Sequence, residues 1–201
     1  MTIPRSFHTT ALLASGKVLA TGGRIHTGPD YFDLKAIADA DLYDPATGKW
    51  SATGTMMISR ADHSASLLPN GQVLVAGGET VDFNGVTVAS AELYNPLTGN
   101  WTATGSMLLS RERFTANVLQ NGQVLVAGGD FWDGVNFGAL SECELYDPTL
   151  GTWSATASMS TPRFGARAAL LRDGQVLEAG GATDFTYVPT ASAEILLAVT
   201  T

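Results

Sequence analysis

The side chains whose spacing suggests chemistry are charged ones. Arg5, Arg60, Arg111 and Arg163 recur at intervals of 55, 51 and 52 residues, and an acid recurs in step with them: Asp41, Glu92, Glu144 and Glu194. Such a pairing has two readings. It is an ion pair that staples each repeating unit, or a row of guanidiniums presented to a ligand. Only 15% of the residues are charged, and a buried charge left alone is costly, which favours the staple. Three residues after each arginine stand His8, His63, Phe114 and Ala166. The repeat does not fix this position, so it is a better candidate for function. Two histidines at matching places could share a metal or hydrogen-bond within a channel. The remaining histidine, His26, lies in a loop, so a three-histidine zinc set is not expected.

The segments after each double glycine carry a second candidate set. They read Asp30-Tyr31-Phe32-Asp33, Asp82-Phe83-Asn84, Asp130-Phe131-Trp132-Asp133 and Asp184-Phe185, and eight of the 17 aromatics fall here: Tyr31, Phe32, Phe83, Phe131, Trp132, Phe137, Phe185 and Tyr187. Solvated loops do not need this many rings. Either the rings fold inward and cap the structure, or they form a recognition face with Asp and Asn beside them. The latter mix suits sugars or extended peptides. The ligand-binding candidates are therefore Arg5, His8, Arg60, His63, Arg111, Arg163, Phe32, Phe83, Trp132 and Phe185.

Catalysis finds little support. No Gly-x-Ser-x-Gly elbow, phosphate loop or zinc-hydrolase motif occurs. Cys143 is the single cysteine, which excludes an internal disulfide or a multi-cysteine metal site, and it reads as packing within a repeated strand. No catalytic set, cofactor or metal site is expected.

The elements that must position these residues follow from self-similarity. Double glycines at Gly22-Gly23, Gly77-Gly78, Gly128-Gly129 and Gly180-Gly181 keep the period of the arginines, and Trp50, Trp101 and Trp153 recur at 51 and 52. Each unit runs from an Arg-led segment through a turn such as Pro69-Asn70-Gly71 to a short apolar run ending in two glycines. A variable loop follows, then a segment such as Ala91 to Pro96, and a Trp. The runs are short, β-branched or alternating, and bounded by turn residues, which predicts four strands per unit and almost no helix. Strand pairs are predicted near 6–22, 61–77, 112–128 and 164–180.

This pattern resembles the kelch repeat: an Arg-led first strand, a Gly-Gly doublet closing the second, Tyr43, Tyr94 and Tyr146 in the third, and a Trp seven residues later. The resemblance covers essentially the whole chain and implies an all-β, kelch-type β-propeller like that of galactose oxidase or of ubiquitin-ligase adaptors. It predicts one domain over 1–201, with blades at about 5–54, 60–105, 111–157 and 163–199. Leu196 takes the Tyr place in the fourth unit, which has no Trp, so the last blade is expected to lack its outer strand. The phrase Leu42-Tyr43-Asp44-Pro45-Ala46-Thr47-Gly48-Lys49-Trp50 is bacterial in style. In some relatives the motif arginine contacts acidic peptides. The copper site of galactose oxidase, with two Tyr, two His and a cross-linked Cys, is not matched.

Composition closes off other classes. A net charge of -8, from 11 basic and 19 acidic residues, argues against nucleic-acid and anionic-membrane partners. Neither a signal peptide nor an apolar run of 18 residues is present, so the reading is a soluble chain of unassigned location. The expectation is a non-catalytic binding or scaffold module for a glycan or peptide, with either a ring closed without the missing strand or self-association through the open edge of the last blade. The alternatives are an enzyme with its site at the channel mouth, using His8, His63 and the arginines, or a propeller fragment or engineered repeat protein without a ligand.

Overall fold

A computed structural model describes residues 1–30, 33–80, 85–184 and 186–196. Among them every regular element is a strand, and no helix is long and apolar enough to cross a membrane. The chain forms four antiparallel sheets, each running in sequence order, in a four-blade propeller arrangement. Blade 1 comprises Thr9–Leu12, Val18–Thr21, Ala40–Asp44 and Lys49–Ala52, and blade 2 Ser64–Leu67, Val73–Ala76, Ala91–Asn95 and Asn100–Thr104. Blade 3 comprises Thr115–Val118, Val124–Ala127, Cys143–Asp147 and Thr152–Thr156, and blade 4 Arg167–Leu170, Val176–Ala179 and Ala193–Leu196. Two hairpins project from the variable loops, Arg24–His26 with Leu34–Ala36 and Asp130–Trp132 with Phe137–Ala139.

The local chemistry explains the strands. Asn70-Gly71 closes the hairpin of blade 2: Gly71 takes φ +84°, and the Gln72 amide donates to the Asn70 side chain at 3.0 Å. The strand that follows, Val73–Ala76, is buried on both faces. Successive side chains of a strand point to opposite faces. Val73 and Val75 accordingly pack with Leu19 and Ala11 of blade 1, while Leu74 and Ala76 pack with Val124 and Val126 of blade 3. The first strands of consecutive blades lie side by side, one to two, two to three and three to four.

The outer part of each junction is held by the Tyr–Trp pair. Tyr94 and Trp101 face one another across the sheet, ring centroids 5.0 Å apart. Both reach back to the segment leaving blade 1: the Tyr94 hydroxyl meets Thr53 Oγ1 at 2.8 Å and Trp101 Nε1 donates to the Gly54 carbonyl at 2.8 Å. Tyr146 and Trp153 repeat the contacts with Thr104 and Gly105.

The glycine doublets set the inner spacing. At Gly77 a Cβ would stand 2.6 Å from the Arg111 carbonyl oxygen, and the Gly78 amide donates to that same oxygen at 2.8 Å. Only a residue without a side chain allows this approach. The doublet of blade 4 keeps the same left-handed backbone, yet Gly180 meets nothing nearer than the Thr190 oxygen at 3.9 Å. Among the described residues, no further blade packs against it.

Candidate functional site

The four arginines are held inside their own blades. Each side chain is 0% exposed. Arg60 Nη1 donates to the carbonyls of Gly77 and Ser90 at 2.8 and 3.0 Å, and Nη2 to Glu92 Oε1 at 2.9 Å. Arg5 on Asp41, Arg111 on Glu144 and Arg163 on Glu194 repeat the arrangement at 2.9, 2.7 and 2.8 Å. Each acid also ties down the segment entering its blade: Glu92 accepts from the Met57 and Ile58 amides, Glu144 from Leu108 and Leu109, and Glu194 from Ser160 and Thr161. Burial pulls the Arg60 guanidinium below its ordinary value, and Glu92 partly restores it. The recurrence read in the sequence is thus an ion-pair staple in every blade.

Two residues beyond each arginine the chain turns over the mouth of the central channel. Phe7, Asp62 and Arg113 take φ of 54°, 54° and 51°, and Gly165 takes 65°. Such angles are uncommon outside glycine and gather at functional sites. Their amides run in relay from blade to blade: Asp62 N–H donates to the Phe7 carbonyl at 3.0 Å, Arg113 to Asp62 at 3.1 Å, and Gly165 to Arg113 at 2.7 Å. The preceding residues, Ser6, Ala61, Glu112 and Phe164, form bridges with Arg24, Glu79, Asp130 and Ala182, each of which directly follows a glycine doublet. The side chains of these three positions therefore converge.

They enclose a cavity of about 320 Å³ lined by Phe7, Arg24, Asp62, Glu79, Glu112, Arg113 and Tyr187. Arg24 pairs with Glu79 and lies 3.7 Å from Asp62. Arg113 Nε donates to Asp130 Oδ1 at 2.9 Å, and its Nη2 reaches Asp130 and lies 3.6 Å from Glu112. The Arg24 guanidinium sits over the Phe7 ring at 5.0 Å, and that of Arg113 over Phe164 at 4.7 Å and Tyr187 at 5.6 Å. Burial works against the Arg113 charge, but Asp130 holds it above its ordinary value. Glu112 is pushed up to about 7, by burial first and then by the neighbouring Asp130 charge, and burial also raises Asp62 and Asp130. Among the described residues, the buried Glu112 Oε2 has no hydrogen-bond partner.

The other candidates fall elsewhere. His63 is buried in the channel, its Nε2 2.7 Å from Thr9 Oγ1 and 3.0 Å from Thr21 Oγ1. Burial, with the charge of Arg60, lowers it to about 3, so it is neutral. His8 is half-buried and also lowered, by burial and then by Arg5. Cys143 is buried, and burial pushes its thiol up to about 11, as for an inert packing residue. Trp132 is half-buried, and its backbone joins Thr87 of the blade 2 loop at 2.9 Å. Phe137 folds edge-on against Phe164, with ring centroids 5.9 Å apart. Phe32, Phe83 and Phe185 lie outside the described residues. A second cavity, of about 510 Å³, opens at the hairpin end between Leu13, Asn70, Gln72 and Leu97, and no acid, base or histidine lines it.

The comparisons with known proteins agree with the blades. No family model matches the chain. It is 30% identical over 177 residues to Kelch-like protein 25 of Xenopus tropicalis, covering 85% of this chain and 28% of that protein. It is 31% identical over 137 residues to Kelch-like protein 34 of Homo sapiens, covering 67% and 21%. An F-box/kelch-repeat protein of Arabidopsis thaliana is 28% identical over 156 residues, covering 78% and 36%. The chain belongs to the kelch-repeat family. It spans between 21% and 36% of the length of these relatives. In kelch terms the motif arginine, doublet, Tyr and Trp build the blade, and the mouth is made by positions that the repeat leaves open.

Those positions were within reach of the sequence. Among the residues one and two beyond each arginine, and those after each doublet, Glu112, Phe7, Asp62, Arg113, Arg24, Glu79 and Asp130 depart from any repeated type. The variation that singled out His8 and His63 also singles out Phe7, Asp62, Glu112 and Arg113 one or two residues earlier, whereas Arg24, Glu79 and Asp130 follow the doublets.

Proposed function

We propose that this kelch propeller is a non-catalytic binding module that takes a short peptide segment of a protein partner at the channel mouth. The observation that carries the reading is the pair of exposed rings at the charged cavity: Phe7 is 51% and Tyr187 55% exposed, and both line it. Tyr187 is also held at φ +54°. Exposed aromatics beside an ionic floor, on a rigid backbone rim, are what an interface hot spot requires. In this reading the four motif arginines are structural.

The test is a peptide array and a glycan array probed with the wild type and with the double variant Phe7→Ala, Tyr187→Ala. Binding of a peptide hit is expected to weaken at least about tenfold, while stability changes by under about 1 kcal/mol, as for exposed side chains. A hit that binds both forms equally well removes the mouth from the reading, and a glycan hit lost in the variant changes the ligand class. One observation favours an enzyme instead. A carboxyl held near neutrality, Glu112, lies in a cleft, as a general acid would. Turnover of a chromogenic glycoside or ester, abolished in Glu112→Gln, would establish that reading.

Self-association is a further partner reading. Among the described residues, Ala193–Leu196 has a strand on one side only, and such edges pair with other strands. Light scattering over a concentration series reads it, and a constant monomer mass removes it.

A further inference from the structure

The floor of the mouth holds more negative charge than the described residues neutralise. Asp62, Glu79, Glu112 and Asp130 face two guanidiniums, Arg24 and Arg113. With every carboxyl ionised, this set carries two uncompensated negative charges. One oxygen from each of Asp62, Glu79 and Glu112 lies within 4.8 Å of the other two. Independently of that clustering, Glu112 is 7% exposed, lines the cavity, and has a buried Oε2 to which no group among the described residues donates. A buried carboxylate oxygen without a donor is costly. Arg113 is committed to Asp130, and Arg24 to Glu79 and Asp62.

The geometry points to a binding site for a calcium-class divalent cation formed by Asp62, Glu79 and Glu112. The donor set consists only of hard carboxylate oxygens, which suits calcium, magnesium or manganese and not softer metals. Three oxygens no more than 4.8 Å apart share a centre no more than about 2.8 Å from each. That bound admits calcium–oxygen distances of about 2.3–2.6 Å, and a cluster of protein carboxylates suits calcium better than magnesium, which demands a near-ideal octahedron at about 2.0–2.1 Å and keeps several of its waters. One divalent ion also cancels the two excess charges. The cation supplies Glu112 Oε2 with the partner it lacks, and it ties residues of the neighbouring blades 2 and 3 together. This inference does not rest on the peptide reading, because the ion is titrated with no partner present.

The experiment is calorimetric titration of calcium chloride into the chelator-treated full chain, alongside terbium luminescence sensitised by Tyr187 of the cavity wall. One saturable site is expected, with a dissociation constant below about 1 mM, in the range of modest all-oxygen sites. Glu112→Gln and, separately, Asp62→Asn each weaken it at least about tenfold, whereas Glu142→Gln, an exposed acid away from the mouth, leaves it unchanged. Calcium raises the melting temperature of the wild type and of Glu142→Gln, but not of Glu112→Gln. Glu112→Gln keeps the shape and removes a buried charge, so the chelated variant is expected to melt no lower than the chelated wild type. Absence of saturable binding at millimolar calcium overturns the proposal, as does equal affinity in Glu112→Gln.

Discussion

At the residue scale, His63 shows how a blade absorbs a polar group. Its ring stands where blade 3 has Phe114, and two threonine hydroxyls surround its Nε2. Burial lowers its pKa from 6.5 to about 3. Between those values the unfolded chain binds a proton on this ring that the folded chain refuses. Stability therefore falls as the pH drops from about 6.5 toward 3, by up to about 1.4 kcal/mol per pH unit for one proton, and this group adds no slope above that window. In His63→Phe the slope is expected to flatten. Thr9 and Thr21 lose a partner but keep their mutual hydrogen bond at 3.1 Å, so stability at neutral pH drops by only about 1 kcal/mol. Urea unfolding at several pH values, wild type against variant, measures both. An unchanged slope would mean that the proton goes elsewhere.

At the element scale, the repeating units were legible because their signals are local or periodic. Asn70-Gly71 requires a hairpin, Val73–Ala76 can only be a buried strand, and Arg60 with Glu92 recurs at a fixed separation. The mouth was less legible. Asp62 and Glu112 are ordinary surface-type residues in sequence, and only the convergence of first strands makes neighbours of Asp62, Glu79 and Glu112. Likewise, nothing in Tyr187 itself reports that Arg113, 74 residues away, donates to its hydroxyl at 3.2 Å. The doublets give a direct test of the junctions. Gly128 would place a Cβ 2.4 Å from the Arg163 oxygen, whereas Gly180 has no neighbour within 3.8 Å, and both have positive φ. Gly180→Ala is expected to cost only the left-handed backbone, about 1–2 kcal/mol. Gly128→Ala adds a clash between blades and should cost at least about 2 kcal/mol more. Chemical denaturation of the two variants compares them, and equal losses would mean that the blade 3–4 spacing yields freely.

At the scale of the whole molecule, stability is graded along the array of blades. A stacked repeat gains from each neighbour it touches. Blades 2 and 3 are covered on both sides, and Val124–Ala127 is buried at every position. In blade 4 the corresponding strand, Val176–Ala179, alternates between buried and half-buried positions, carries Glu178 where blade 3 has Val126, and lies beside the half-exposed Ile195. Amides of Val176–Ala179 are therefore expected to exchange with deuterium faster than those of Val124–Ala127, with blade 4 opening before the rest. Hydrogen exchange read by mass spectrometry or NMR decides. Uniform protection across the four blades would show a single cooperative unit.

The relay of amides at residues 7, 62, 113 and 165 separates shape from meaning. Because main-chain hydrogen bonds link the rim from blade 1 to blade 4, its path is set by the backbone more than by the side chains, and the four blades already carry a ring, an acid, a base and no side chain there. Selection can rewrite these letters while the sentence keeps its grammar. A new specificity then arises by substitution at four addresses, without renegotiating the core, provided that each newcomer tolerates a left-handed backbone, as Gly, Asn and Asp do most readily. The same property makes the rim a ready-made site for a combinatorial library. Diversity belongs at those four positions, and the arginines, doublets and Tyr–Trp pairs should be left alone.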